Sequence, residues 1–251
     1  MSFADEFKRH FDNVDGVQWI EEAEALAARL AAHATIESTF DHALLVGDRF
    51  LSMAGPLEEL GYAVGSDETL YLGEVEGLRY YGISATLAPQ AAARARGWFE
   101  HVLISQPAHQ PAWDHIQKSY GGRTVLHHVA LTVSIPGRGE SDEDYALRVV
   151  PEFLRVRERV GEITGAPLQK VTMSLPAAVL ASERFTAALR DWTQGRESTS
   201  IALEEMKGGG FFLQFASTDS YRVEVVLRHG TVLGFNPAAQ TKLSRDVSYS
   251  G

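Results

Sequence analysis

The chain contains no cysteine. Disulfides, thiolate catalysis, iron–sulfur clusters and cysteine zinc sites are thereby excluded, and any bound metal must be held by His, Asp, Glu or water. Basic side chains are also scarce. Twenty-three Lys and Arg against 33 Asp and Glu leave a net charge of −10, which disfavours phosphate backbones and anionic membranes because both demand clustered cations. The expected partner is a small-molecule substrate rather than nucleic acid or membrane, and a homodimer stays open. No stretch is long and apolar enough to span a bilayer. The opening MSFADEFKRHFDNVDG lacks the apolar core of a signal peptide, so a cytoplasmic location is expected. Serine elbows, zincin helices and dinucleotide fingerprints are missing too. The run Gly208, Gly209, Gly210 lacks the flanks of a phosphate loop and reads as a hairpin turn between two strands.

What is present suits a packed domain. At 251 residues and 45% hydrophobic composition, the chain can bury a sizeable core. Residues 1–36 read as a helical segment, since Ile20, Ala23, Leu26, Ala27 and Leu30 recur at helical spacing. A single domain is expected over 37–235, built of two modules at about 37–96 and 124–230 joined by an insertion at 97–123, with a polar tail at 236–251. The first module reads β-α-β-β, with a helix from about Phe50 to Leu60 and a short extra strand at Tyr62–Val64. An alanine-rich helix near Gln90–Arg96 follows. The insertion carries a strand at His101 and the stretch QPAHQPAWDHIQKSYGGR, whose Pro, Trp and His content suits a loop acting as a lid. The second module repeats the order on a larger scale, with helices at Tyr145–Val160 and Pro176–Trp192. The fold class is α+β, with paired βαβββ-type modules forming a curved mixed sheet around a cavity and helices added.

Three strands open on a histidine: TFDHALLVGD at His42, GWFEHVLISQ at His101 and TVLHHVALTVS at His128. Duplicated modules that place a histidine at one point of an inward strand assemble a metal site from distant sequence. Aligning the first and third sets His42 against His128 and Asp41 against His127. Neighbours in a strand point to opposite faces, so His128 is expected inward and His127 outward. Near the end, YRVEVVLRHG puts Glu224 in the middle of an apolar strand, where a carboxylate is costly to bury without a cation. His42, His128 and Glu224 make a two-histidine, one-carboxylate set.

The duplicated βαβββ plan, the DHALLVGD and HHVALTVS strands and the TDSYRVEVV segment together resemble the vicinal oxygen chelate superfamily. Its members include glyoxalases, extradiol dioxygenases and antibiotic-resistance binding proteins. The resemblance covers roughly Ser38–Gly230 and implies that His42, His128 and Glu224 are the metal ligands. The insertions are similar to the 2-oxoadipate dioxygenase/decarboxylase branch, which implies an iron site of two histidines and one glutamate. That branch carries an arginine shortly after its first histidine, where this chain has Val46; Arg49 is the nearest substitute.

The expected function is a metal-dependent oxygenase acting on a small oxygen-chelating substrate such as a 2-oxo acid or a catechol-like compound. Fe(II) is the first choice, because two imidazoles and a carboxylate leave open positions on one side of the ion. The same set on manganese, nickel or zinc would run lyase or isomerase chemistry. A metal-free binding protein is the alternative, in which Trp98, Trp113, Trp192 and the Tyr80–Tyr81 pair would grip an aromatic or apolar ligand. Arg49, Tyr80, Gln214 and His101 are the candidate substrate-binding residues. His229, at the end of the Glu224 strand, is a candidate neighbour of the metal.

Overall fold

The computed structural model of the chain describes residues 2–11, 14–32, 37–47, 53–65, 71–75, 78–88, 98–99, 101–120, 124–165, 168, 171–194, 201–206, 209–216 and 223–230. These divide into two compact units. The first takes Met1–Glu24 and Thr39–Ala130, and the second takes Ala25–Ser38 and Leu131–Leu233, while the remaining 234–251 lie outside the described residues. The class is α+β with a mixed sheet that does not close.

In the first unit, helix α1 (Phe3–His10) starts on a capping box in which Ser2 and Asp5 satisfy each other's backbone. It falls in the helical segment expected over 1–36, and its Phe3 and Phe7 stand one turn apart and are both buried. Phe3 packs edge-on against Tyr62, Trp98 and Phe99. Helix α2 (Gln18–Ala31) follows, as its periodicity predicts. Strand β1 (Glu37–Gly47) leads to helix α3 (Ala54–Leu60), which ends on Gly61 at φ 98°, a left-handed cap that glycine adopts without a Cβ penalty. Strands β2 (Tyr62–Val64), β3 (Tyr71–Val75), β4 (Leu78–Leu87) and β5 (His101–Pro107) complete the set.

The strand order here is β2-β4-β5-β1-β6, with β3 also on β4 and β6 spanning Thr124–Ser134. β5 lies parallel to β1 and antiparallel to β4. The strand at His101, expected in a connecting insertion, is therefore the strand that returns beside β1. Residues 41–47 are buried without alternation, as suits a strand with partners on both edges and cover on both faces.

The stretch expected as a loop after β5 is helix α4 (Gln110–Tyr120). Pro111 occupies its first turn, where a missing N–H costs nothing, so the prolines that suggested a loop instead start a helix. Ala112 and Ile116, four apart, pack into a cluster with Leu44, Val46, Tyr80, Leu103 and Val125.

The second unit begins with the end of β6. Helix α5 (Asp142–Thr164) starts on a Ser141 side-chain cap, with Asp142, Glu143 and Asp144 in its first turn, where negative charge suits the helix dipole. It runs past an internal Pro151, longer at both ends than its apolar periodicity predicts. After β7 (Val171–Leu175), the helix expected over Pro176–Trp192 is two, α6 (Ala177–Leu180) and α7 (Glu183–Thr193). Ser182 breaks them apart because its hydroxyl accepts from Phe185 N–H as a new N-cap. Strands β8 (Ile201–Glu205), β9 (Phe211–Ala216) and β10 (Val223–His229) finish the unit in the order β6-β10-β9-β7-β8.

β8 pairs parallel to β7, not with β9. The glycine run between β8 and β9 is thus a crossover connection, not the expected hairpin. Turn residues alone do not reveal which strand intervenes. The alanine-rich helix near Gln90–Arg96 and the polar tail lie outside the described residues. Among the described residues no helix is long and apolar enough to cross a membrane.

Candidate metal centre

β1 and β6 are neighbouring strands, and this adjacency brings together two histidines 86 residues apart in sequence. His42 and His128 face each other with Nε2 atoms 3.0 Å apart, their rings at 80°. Both are buried, with 4% and 7% of their surface exposed. Among the described residues, one group of three combines donors at ligating distance. His42, His128 and Glu224 offer ligand atoms that all lie within 4.8 Å of one another.

The donor chemistry fits a divalent cation. A carboxylate 7% exposed needs a positive partner or several hydrogen bonds to offset its desolvation. Nitrogen ligands at about 2.1 Å from one ion are about 3.0 Å apart at a right angle and about 3.4 Å apart at a tetrahedral one. The observed 3.0 Å would let both imidazoles reach one ion, and a two-histidine, one-carboxylate set would leave that ion open positions.

Each imidazole also has a partner on its other nitrogen. His42 Nδ1 lies 3.0 Å from the buried Asp41 Oδ1. An ionised carboxylate only accepts, so Nδ1 carries the hydrogen and the Nε2 lone pair is left for a metal. His128 Nδ1 lies 2.9 Å from His127 Nδ1. The two rings meet although alternation sends their side chains to opposite faces, and His127 is half-buried where His128 is buried. Alternation fixes where each Cβ leaves the strand, whereas Nδ1 sits next to Cγ, and neighbouring rings can meet across the strand edge. The aligned dipeptides DH and HH held that signal.

Other candidates are placed as follows. His101 stands in register with His42 across β1 and β5, with its Nδ1 3.4 Å from Thr86 Oγ1. It borders the donor group without belonging to it. Gln214 is buried on β9 opposite Val226, and Ala216 lies opposite Glu224. Paired residues share a face and so do alternate residues, so Gln214 and Glu224 lie on one face of this sheet. Thr172, opposite Gln214 on β7 and also buried, joins them. That residue escaped the sequence reading, although Thr172 and Ser174 alternate with apolar residues in VTMSL.

Tyr80 is buried in the apolar cluster beneath α4, while Tyr81 is 41% exposed. Arg49 lies outside the described residues. His229 stacks on Tyr145 with ring centroids 3.8 Å apart and adjoins Phe211. Burial lowers its pKa below the usual 6.5, with Arg148 acting in the same sense and Asp142 and Glu140 opposing. It is a packing residue at a strand end.

No protein-family profile and no curated protein matches the chain. Solved structures do. A triple mutant of 4-hydroxymandelate synthase from Streptomyces coelicolor is 16% identical with a TM-score of 0.46, over 83% of this chain and 52% of that one. A xylose isomerase-like TIM barrel/4-hydroxyphenylpyruvate dioxygenase fusion protein is 15% identical with a TM-score of 0.40, over 82% and 28%. Methylmalonyl-CoA epimerase from Mycobacterium tuberculosis is 13% identical with a TM-score of 0.35, over 75% and 87%. The chain spans about half the length of the first.

Proposed function

We propose that the chain is a metal-dependent enzyme, an oxygenase that uses Fe(II) held by His42, His128 and Glu224 to act on a small substrate with two vicinal oxygens. The observation that carries this reading is the meeting of two buried imidazole Nε2 atoms and a buried carboxylate, from residues far apart in sequence, within 4.8 Å. A bound Fe(II) would supply open positions at which a bidentate substrate and dioxygen can both bind.

The protein's own part is positioning and exclusion of water. Asp41 holds the His42 ring by its Nδ1, which keeps Nε2 directed to the donor group. Gln214 and Thr172, on the face of Glu224, present an amide and a hydroxyl that can hydrogen-bond a substrate carboxylate or carbonyl. His101, level with His42, offers a further imidazole at the border of the group. Two of the tryptophans that would favour a metal-free binder pack elsewhere: Trp98 against Phe3 and Trp192 against Phe185.

The test is anaerobic reconstitution with Fe(II), followed by oxygen consumption with 2-oxo acids and with catechols. Near one equivalent of metal, and oxygen uptake with one substrate class, is expected. A protein that retains no first-row metal would overturn the reading. A protein that binds metal and turns over a substrate without oxygen uptake would move the assignment to lyase or isomerase chemistry.

A further inference from the structure

The two imidazoles of the donor set are backed by the residue that precedes each in sequence, but by different chemistry. In β1 the backing group is a carboxylate, with Asp41 Oδ1 3.0 Å from His42 Nδ1. In β6 it is a second imidazole, with His127 Nδ1 2.9 Å from His128 Nδ1. All four residues belong to the first unit, and His127 is half-buried while the other three are buried. We infer that His127 is a positioning residue that accepts the Nδ1 hydrogen of His128 and thereby fixes the His128 tautomer whose Nε2 lone pair points at the metal.

The chemistry follows from the imidazole inventory. A neutral ring carries one hydrogen, and a ring that ligates through Nε2 must carry it on Nδ1. That hydrogen needs an acceptor when buried. His127 supplies one as a bare Nδ1, which requires its own hydrogen on Nε2. A neutral acceptor leaves the His128 ring less electron-rich than the carboxylate-backed His42, and it adds no negative charge beside the ion. The site is therefore asymmetric by construction, with one strong and one moderate imidazole donor. Asp41 shows that an aspartate in the preceding position reaches the Nδ1 of its neighbour, so His127→Asp should recreate in β6 the pairing found in β1.

This inference rests on the metal reading above, and the experiment separates the two. Zn(II) affinity is measured by competition with a chelator for the wild type, His127→Phe and His127→Asp, and the zinc-loaded wild type is examined by ¹H–¹⁵N NMR of its imidazoles. A wild type that binds no zinc overturns the metal reading, and this inference with it. If the wild type binds, loss of the acceptor in His127→Phe should weaken zinc by about 10- to 100-fold, and His127→Asp should bind at least as tightly as the wild type. Zinc bound by His127→Phe within twofold of the wild type, or by His127→Asp as weakly as by the Phe variant, would overturn the role of His127 while leaving the metal site standing. The NMR arm does not depend on how the variants fold. A slowly exchanging hydrogen on His128 Nδ1 is expected in the wild type, and its presence on Nε2 instead would also overturn the assignment.

Discussion

Glu224 is the residue on which the donor group turns, because among its three members it alone is a carboxylate. On the proposed metal reading, Glu224→Ala should lose bound metal, by more than about 100-fold in affinity, since it would remove a direct ligand where even indirect partners are worth 10- to 100-fold. The fold should survive, because the desolvation cost disappears with the charge. Metal stoichiometry and thermal midpoint measured on the same protein check both halves of that statement, and a salt-bridged structural role would show the reverse pattern. His229 makes a separate expectation about pH. Its pKa is lowered first by burial, so the unfolded chain binds a proton more readily than the folded one below the ordinary value of 6.5. Stability from this group is present above that value and is lost as pH falls through the lowered folded pKa. Denaturant midpoints between pH 7 and pH 5 should fall more steeply in the wild type than in His229→Phe, which keeps the stack on Tyr145. At this scale the sequence was most informative about ligands. What it singled out is a group whose donor atoms meet: His42, His128 and Glu224, within 4.8 Å of one another, stand out because polar residues in apolar strands are costly. Asp41 and His127 carry a sequence signal only in the aligned dipeptides DH and HH, and their contacts with the next ring depend on ring rotation, which that alignment does not encode.

Among the elements, β6 carries the greatest demand for accuracy. Its start is clamped by the segment before α2, where Asp15 N–H donates to Thr124 O at 3.2 Å and Leu126 N–H donates to Asp15 O at 2.7 Å, next to His127. The clamp turns on Gly16, at φ 94°, where an added Cβ would lie 2.6 Å from Trp19 Cζ3 and 2.8 Å from Leu126 O. Gly16→Ala should therefore destabilise the protein by about 1–2 kcal/mol from backbone conformation alone, with the close contacts adding to it. It should also weaken metal binding, since a displaced Leu126 carries His128 with it. Urea midpoints and zinc affinity of the variant measure the two effects, and a loss of stability with unchanged affinity would show that β6 holds its line without the clamp. Elements with a plain sequence signal, such as the helical period of α2 and the apolar runs of β1 and β10, could be read directly from sequence. α4 and the split between α6 and α7 could not, because Pro111 can begin a helix as readily as interrupt one and Ser182 can cap a helix as readily as sit within it. The β7–β8 pairing needed three dimensions, since local sequence says nothing about a non-sequential neighbour.

For the molecule as a whole, the arrangement was legible as far as its duplication. In each half the last strand returns beside the first, β5 beside β1 and β10 beside β6. Where the halves meet in sequence was less legible. The His101 strand looked like part of a connector because the length between it and β4 exceeds that of an ordinary turn, and only the parallel register with β1 shows where it belongs. β6 passes from one unit to the other within a single strand, at Ala130 and Leu131.

The 86-residue separation of His42 and His128 has a consequence in time. Contacts that close long loops form against an entropy of closure. We expect the donor group to be incomplete in the folding transition state, so that a metal needing all three residues would find no partner there. Interactions absent from that barrier act on unfolding rather than on folding. Stopped-flow mixing with and without zinc should show folding rates that agree within about twofold and an unfolding rate lowered roughly in proportion to the stabilisation by the metal. A metal that accelerated folding would mean that β1 and β6 meet early. Without such acceleration, the ion acts as a latch on the finished molecule and sets how long it lasts.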